Sequence, residues 1–378
     1  MNSITAFLFS IILTLVIVPA PQSRKVPPQR DKNECGTVVS PRQVQAELAR
    51  RDQSLRQTNG QALLTPNLNA PYYLPLTIHI VHNNAGVTGI TLGEIEVTVR
   101  NLNLKWQQTG VQFFIHGEAD HIYNDAFLPL PDLRGSRTRL LQTNSVPDTI
   151  NIYFTGLYGF CGVSTFPADA AEGYEGIVMD FACSGADAPD VLAHEMGHYF
   201  DLYHTHDTDF GVECPTRAGG CDRTGDLLCD TPADPNLDKG KYVDSNCAYN
   251  NLAPIPGGCD STPYNPPTRN LMSYSLNTCR YQFTPEQISK VLQTLRESPV
   301  RRNLIDHATR YVDPAAGSSA GKCSYADPCR TLAKALVAAS DGDAICFKPG
   351  VYRNPTLGGR KLTLLKWGHS DKAVEFKP

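Results

Sequence analysis

The sequence lacks an excess of charge of either sign. Its 378 residues carry 34 lysines and arginines against 38 aspartates and glutamates, for a formal net charge of −4. Binding to nucleic acid or to an anionic membrane usually requires a basic surface. Neither partner is therefore indicated, and nothing in the composition indicates an oligomeric state.

Long apolar runs are also missing, except at the N-terminus. Residues 4–18 form an apolar segment that has the length of a signal-peptide core and is short for a membrane span. No lysine or arginine precedes it, and Pro21 would follow a cut after Ala20. We predict a signal peptide at residues 1–20, a secreted protein and no stable membrane insertion after signal cleavage; a retained anchor is the alternative.

Cysteine, by contrast, is abundant. An exported chain with twelve cysteines is expected to form disulfides. Eight cysteines lie between residues 161 and 279, three lie after residue 322, and Cys35 stands alone near the N-terminus. A thiolate is a good zinc ligand, so Cys35 is a candidate for a latency ligand on a metal. The alternative is that Cys35 pairs with the odd cysteine of the C-terminal group.

The most informative motif runs from His194 to His204, in the sequence HEMGHYFDLYH. On a helix, His194 and His198 are one turn apart and point the same way. Glu195 can hold a metal-bound water without binding the metal itself. His204 can join the two ligands only if the helix ends before it, and Asp201 is the residue best placed for a left-handed stop.

Two other ligand sets compete with this interpretation. His206 could replace His204 as the third ligand. A downstream glutamate could also serve, and Glu213 is the nearest candidate. We expect His204, because its offset from His194 fits a zinc site with three histidines.

The order of predicted elements indicates an α+β fold. After a polar pro-segment at residues 21–70, with a possible helix at Pro41–Arg51, the patterns predict a half-buried strand around residues 76–81 and a helix that opens with a capping box at Thr91. Further strands follow at 111–115, 149–154 and 176–180, the last near an edge of the sheet. The histidine helix should begin at Asp187–Pro189 and pack under this sheet.

Residues 205–270 have little periodic pattern and are rich in Asp, Gly, Pro and Cys. Such a stretch within a compact domain is usually functional or held by disulfides. Its aspartates could supply oxygen ligands to calcium, or they could form a solvated acidic loop. A helix with a capping box at Thr284 follows.

Three motifs in order resemble the pappalysin family, a group of metzincin zinc endopeptidases. They are HEMGHYFDLYHTH from His194, GDLLCDTP from Gly225 and NLMSY from Asn270, and the resemblance spans about residues 72–300. It implies an upper subdomain of sheet and helices, a lower irregular subdomain, and one catalytic Zn²⁺ bound by His194, His198 and His204. It also implies the roles of the general base for Glu195, the apolar floor for Met272, the oxyanion donor for Tyr274, and structural Ca²⁺ near Asp226, Asp230 and Thr231.

The same resemblance implies crossed disulfides, Cys229–Cys259 and Cys247–Cys279. Locality then suggests Cys161–Cys183 and Cys214–Cys221. Some relatives are kept latent by a pro-segment cysteine, a role that Cys35 could fill.

Two positions depart from the family pattern. Asp201 stands where a glycine is usual, at a cost of roughly 1 kcal/mol in a left-handed turn. Asn277 stands where relatives that cut before Arg or Lys carry an acid in the S1′ pocket. An amide cannot pair with a cation as a carboxylate does, so a preference for basic residues is not expected.

The C-terminal residues resemble the first turn of a parallel β-helix. A helix at residues 329–339 and strands within 342–352 and 361–365 follow a linker, and the chain stops after about one turn. We predict a linker at 307–320 and a truncated module at 321–378, with Cys323 paired to Cys329; a small disulfide-held domain is the alternative.

These observations together predict a peptidase domain at residues 71–306. The expected function is a secreted, zinc-dependent hydrolase of peptide bonds, made as a zymogen and acting on protein or peptide substrates. The alternative is a catalytically silent binding protein on the same scaffold.

Overall fold

A computed structural model of the protein describes residues 33–56, 64–68, 71–132, 135–170, 173–217, 219–353, 356–357, 359–367 and 374–377. The predicted signal peptide and the first part of the pro-segment lie outside these residues. None of the helices in the described segments combines the length and the apolar character needed to cross a membrane.

The N-terminal and central part of the chain is α+β, as predicted. Its helices and strands, in order, are β1 (Asn33–Cys35), α1 (Pro41–Arg56), β2 (Tyr72–His82), α2 (Leu92–Trp106), β3 (Val111–Ile115), β4 (Asp120–Tyr123), α3 (Gly135–Gln142), β5 (Ile150–Thr155), β6 (Phe160–Ser164), α4 (Pro167–Ala170), β7 (Ile177–Asp180), α5 (Val191–Tyr199) and α6 (Pro285–Glu297). Both predicted capping boxes are present, at Thr91 and Thr284.

A seven-stranded mixed sheet organises this part. Its order is β1-β6-β7-β5-β2-β3, and β4 pairs with the second half of β2. All pairs are parallel except β6 with β7. Strand β7 is therefore internal, so the prediction of an edge strand there was wrong. Strand β6 takes the place beyond it, and its sequence FCGVS lacks the long alternation that would have revealed a strand.

The sheet is buried on both faces. Ile78 and Ile80 of β2 face the core formed with α2, α5 and α6, while Val81 faces a second cluster beside α3. The prediction of a half-buried β2 was therefore wrong, because helices cover both sides. Trp106 lies in the main core, and its indole N–H donates to the carbonyl oxygen of Ala193 at 3.1 Å, which fixes α2 against the histidine helix.

The predicted irregular region is confirmed. Among the described residues, no helix or strand lies between the end of α5 and the start of α6. Disulfides and turns hold this segment. The bridges in the chain are Cys161–Cys183, Cys214–Cys259, Cys221–Cys229, Cys247–Cys279 and Cys323–Cys329.

Two of the predicted disulfides are therefore wrong, Cys229–Cys259 and Cys214–Cys221. Gly225 and Leu227 both have a positive φ, and they fold the chain back so that the Cα atoms of Cys221 and Cys229 lie 4.9 Å apart. Cys214 is then left for Cys259. Cys161–Cys183, Cys247–Cys279 and Cys323–Cys329 are confirmed. The alternative pairing of Cys35 with a C-terminal cysteine does not occur, because Cys35 and Cys346 are both free and buried.

The C-terminal part consists of short parallel strands. Its elements are β8 (Thr309–Val312), α7 (Leu332–Ala338), β9 (Ala344–Phe347), β10 (Gly350–Arg353), β11 (Thr363–Lys366) and β12 (Val374–Lys377). Strand β9 lies between β8 and β11, and β10 pairs with β12. The predicted linker at 307–320 is wrong at residues 309–312, which form strand β8. Tyr311 and Val312 of this strand are fully buried in the C-terminal part. Parallel pairing is compatible with a β-helix turn, and that assignment stays a prediction.

Candidate active site

The three predicted zinc ligands meet at one point. The Nε2 atoms of His194, His198 and His204 lie 3.1–3.2 Å from one another. Tetrahedral zinc has nitrogen ligands at about 2.0–2.1 Å, which places those nitrogens roughly 3.3 Å apart. The donor set therefore fits one zinc ion, and His206 lies beside this cluster rather than in it.

Backbone carbonyls orient two of these imidazoles. Nδ1 of His194 lies 2.7 Å from the carbonyl oxygen of Leu271, and Nδ1 of His198 lies 2.7 Å from that of Leu202. A carbonyl can only accept, so both Nδ1 atoms carry the proton and both Nε2 atoms present a lone pair. Burial lowers the pKa of all three histidines, that of His198 to about 3, which keeps them neutral and able to bind a metal.

Asp201 makes the turn that brings His204 to the site. Helix α5 ends at Tyr199, and Asp201 follows with φ of 75°. The N–H of Leu202 donates to the carbonyl oxygen of Gly197 at 2.9 Å, a Schellman-type end to the helix. The predicted break at Asp201 is confirmed.

The start of this helix differs from the prediction. Helix α5 begins at Val191 rather than at residues 187–189, with Asp190 at the N-cap. The Asp190 carboxylate makes no capping bond, since it pairs with Nε of Arg280 at 2.6 Å. Arg280 is a site residue that the sequence did not reveal: it is buried and also donates to the amide oxygen of Asn277 at 2.9 Å.

Met272 is fully buried in the main core, and its role as an apolar floor beneath a zinc ion stays a prediction. A Cβ at Gly197 would stand 2.4 Å from its sulfur atom, so the methionine packs directly on the backbone of the histidine helix. The N–H of Thr205 donates to the Met272 carbonyl oxygen at 3.2 Å. This contact joins the backbone at Met272 to the chain segment that carries His204.

Glu195 is fully buried beside the histidines. Burial raises its pKa to about 7, while hydrogen bonds from Cys35 and Thr37 act in the opposite direction. Thr37 donates to Oε2 at 2.9 Å, and Oε1 has no hydrogen-bond partner. A carboxylate with a pKa near neutrality is suited to accept and return a proton.

Cys35 is the fourth member of the histidine cluster. Its Sγ lies 3.4 Å from Nε2 of His198, and one ligand atom each of Cys35 and the three histidines lie within 4.8 Å of one another. The Tyr274 hydroxyl donates to the Cys35 carbonyl oxygen at 3.3 Å. Burial and the charge of Glu195 raise the pKa of the thiol.

Two of the predicted calcium residues, Asp226 and Thr231, are in contact in the irregular segment. The Thr231 hydroxyl donates to Oδ1 of Asp226 at 2.8 Å, and Oδ2 of Asp226 and Oδ1 of Asp230 have no hydrogen-bond partner. Glu213 lies against the backbone of Gly225, where a Cβ would stand 2.6 Å from its Oε2, and its charge raises the pKa of Asp226. Its Oε1 lies 3.8 Å from Nε of Arg217. The alternative role of Glu213 as a zinc ligand is excluded, because Glu213 is not part of the histidine cluster.

Residues 151–296 match the M43 peptidase family model described as pregnancy-associated plasma protein-A. The match spans the histidine motif and the methionine turn whose geometry is given above. Residues 151–296 are therefore similar to the pappalysin family, as the sequence motifs predicted.

Two curated fungal relatives show how far this pappalysin-type similarity extends. An extracellular metalloprotease of Pyricularia oryzae is 27% identical over 230 residues, which are 57% of this chain and 71% of the relative. One of Arthroderma benhamiae is 27% identical over 276 residues, 69% of this chain and 90% of the relative. Mature mirolysin of Tannerella forsythia in complex with a cleaved peptide has 17% identity and a TM-score of 0.48, over 62% of this chain and 96% of that one.

Proposed function

We propose that this protein is a secreted zinc endopeptidase that hydrolyses peptide bonds in proteins or peptides, with Glu195 as the general base. One observation carries the proposal. Three imidazole lone pairs converge beside a buried carboxylate whose Oε1 has no hydrogen-bond partner. Residues 1–20 are proposed to direct export, in keeping with relatives that are named extracellular.

The protein residues divide the reaction between them. A zinc ion on His194, His198 and His204 would polarise a peptide carbonyl and lower the pKa of water from about 16 to about 7. Glu195 takes the proton of the attacking water and delivers it to the leaving amine. The Tyr274 hydroxyl, which donates to a peptide carbonyl in this structure, would donate in the same way to the oxygen on which charge develops.

Peptide hydrolysis tests the proposal directly. The full chain would be cut between residues 57 and 63, freed of its N-terminal fragment, and incubated with a proteome-derived peptide library before and after treatment with a zinc chelator. We expect cleavage that the chelator abolishes and added zinc restores. Absence of any cleavage by the zinc-loaded protein would instead favour a silent binding protein.

The N-terminal segment, which we propose to be a pro-segment, supports a latent form of the enzyme. Strand β1 extends the sheet at β6, and the N–H of Gly36 donates to the carbonyl oxygen of Gly162 at 2.8 Å. Main-chain pairing at a sheet edge is one way in which peptides bind proteins, so β1 excludes a substrate strand. The Cys35 carbonyl engages Tyr274 and the Thr37 hydroxyl engages Glu195, which occupies both groups.

The Cys35 thiol would complete the latent site. Its raised pKa means that it stays protonated without a metal, and zinc must displace that proton for the sulfur to bind. A fourth protein ligand closes the position that a catalytic zinc site keeps open. We expect Cys35→Ser to give the uncut chain a small fraction of the full peptidase activity, because the rest of the segment stays in contact, whereas Cys346→Ser, at the other free buried cysteine, should give none. Equal activity of the two variants would contradict this role.

The substrate pocket is proposed to disfavour a basic residue after the scissile bond. The amide oxygen of Asn277 already accepts from the buried guanidinium of Arg280. A second cation at this oxygen would therefore meet both a neutral partner and a nearby positive charge. In the peptide library, Arg and Lys should be depleted on the C-terminal side of the cut, and their enrichment would contradict this specificity.

We also propose structural calcium near Asp226, Asp230 and Thr231, with Glu213 as a further carboxylate. Burial raises the pKa of Asp226 well above its usual value and that of Glu213 to about 7. Buried carboxylate oxygens without partners are costly unless a cation or a proton compensates their charge. The remaining domain assignments, including the β-helix-like module after residue 320, stand as proposals beside this one.

A further inference from the structure

The N-terminal helix α1 contacts the catalytic part at a second place, on the turn between His198 and His204. Nε2 of Gln43 donates to Oδ1 of Asp201 at 2.5 Å and to the Tyr203 hydroxyl at 2.7 Å. The Arg50 guanidinium donates to the other oxygen of Asp201. Asp201, which stands where the family has glycine, is thus bound by two side chains of this helix.

A second set of charges crosses the same contact. Nζ of Lys290 lies 3.6 Å from Oε2 of Glu47 and 3.8 Å from Oδ2 of Asp201, and 4.5 Å from the centre of the Tyr203 ring. Oε2 of Glu47 also lies 2.8 Å from Nη2 of Arg50 on the same helix. Charges therefore alternate across the contact, with a cation and an anion contributed from each side.

Burial makes these contacts strong. Asp201 and Gln43 have no exposed surface and Tyr203 has 1%. Charge-assisted hydrogen bonds that are shielded from water are stronger than those on the surface. If α1 left, the Asp201 carboxylate would keep only Lys290 among these partners.

We infer that Asp201, Tyr203 and Lys290 form a docking site for helix α1 that holds the N-terminal segment independently of the Cys35 contact. The occupant is this chain's own helix Pro41–Arg56, bound through Gln43 and Arg50. The inference deepens the proposed latency and rests on it. Loss of the thiol contact alone leaves the segment attached, so full activation requires that the helix also leave.

The position of Asp201 supports this inference. A non-glycine residue at φ of 75° strains the backbone of the catalytic part. The carboxylate compensates that strain only through partners that the helix largely supplies. The residue is therefore unfavourable for the free catalytic part and favourable for the docked form.

Fragment retention tests the inference without reference to activity. A sequence-specific cleavage site would be placed between residues 57 and 63 of the full chain, and the cut protein passed over a size-exclusion column. With Cys35→Ser in the background, we expect the N-terminal fragment to co-elute with the rest. Adding Gln43→Ala and Arg50→Ala should weaken its binding roughly 10-fold to 100-fold, while Gln45→Ala, at an exposed position of the same helix, should not.

Two outcomes would overturn the docking site. In the Cys35→Ser background, one is a fragment that carries Gln45→Ala and is released as rapidly as one that carries both Gln43→Ala and Arg50→Ala. The other is additive effects of Arg50→Ala and Asp201→Asn in a double-mutant cycle, since contacting residues should be coupled. If peptide hydrolysis were absent in every form, the proposed function would fail while the retention result still stood.

An Asp201→Gly variant should change the melting temperature in opposite directions before and after removal of the N-terminal fragment. In the uncut chain we expect a lower melting temperature than wild type, because the helix loses its partner. After removal of the fragment we expect a higher one, because glycine relieves the left-handed turn. A decrease in both forms would contradict the assigned role.

Discussion

The catalytic part consists of two regions that are held together by different means. From β2 to α5, periodic apolar residues form a sheet and helices around one large core. From Asp201 to Phe283 the described chain has neither helix nor strand, and turns, three disulfides and buried acids supplement a small apolar cluster around Leu237 and Val243. The first region is shaped by burial and the second by local bonds.

The proposed zinc site lies across the border between these regions. His194, Glu195 and His198 come from the helix, whereas His204, Met272 and Tyr274 come from the irregular segment. The proposed general base and two proposed ligands thus lie in the first region, and the third ligand lies in the second. Changes in the two regions should therefore affect activity and stability in different proportions.

The largest effect is expected from Glu195→Gln, which removes the general base and leaves the helix intact. On the cut, zinc-loaded chain freed of its N-terminal fragment we expect kcat to fall by about 10³-fold, with zinc content unchanged. Steady-state peptide hydrolysis and metal analysis would measure both. Glu96→Gln, at an exposed glutamate on α2, serves as the control, and an equal loss there would argue against a role for Glu195 in the chemistry.

A smaller effect, mainly on stability, is expected from the disulfides of the irregular region. Cys247–Cys279 closes 32 residues of chain and Cys221–Cys229 closes 8. Loop-closure entropy then predicts that replacing the first pair by alanine lowers the free energy of unfolding by about 1 kcal/mol more than replacing the second. Urea unfolding of the two double variants would compare them. The opposite order would mean that contacts in the folded state, rather than chain entropy, set the stability of this region.

The same division explains what the sequence could predict. Spacing alone indicated that the helix must break between His198 and His204, because a helix has a fixed rotation per residue. Capping residues located the starts of α2 and α6. Cys35 was a candidate ligand because it was the odd cysteine in a segment before the catalytic part.

Non-local contacts account for what was missed. No periodic signal connects Gln43 with Asp201 or Asp190 with Arg280, since each pair meets only in the folded chain. The pairing of Cys214 with Cys259 depends on the left-handed turn at Gly225 and Leu227, and cysteine spacing does not reveal that turn. Strand β6 was missed because its neighbours in the sheet, rather than its own sequence, determine its conformation.

The smallest effect is expected from calcium, and it depends on pH. The pKa of Glu213 is raised to about 7 from an unfolded value near 4.5, and that of Asp226 is raised as well. Raised pKa values mean that these acids contribute stability fully below pH of about 4.5, and that this stability is lost as the pH rises through about 7. Without calcium, at constant zinc, the melting temperature should therefore decrease over this range.

Calcium should offset this loss, because it binds the ionised carboxylates. At pH 7.5 we expect added calcium to raise the melting temperature by about 2 °C, and the increase should shrink towards pH 5, where protons compete for the same oxygens. Differential scanning calorimetry of the full chain would record both trends. Glu213→Gln should reduce both the pH dependence and the calcium effect, since the Glu213 carboxylate contributes to each of them. An undiminished calcium effect in that variant would place the ion elsewhere in the irregular region.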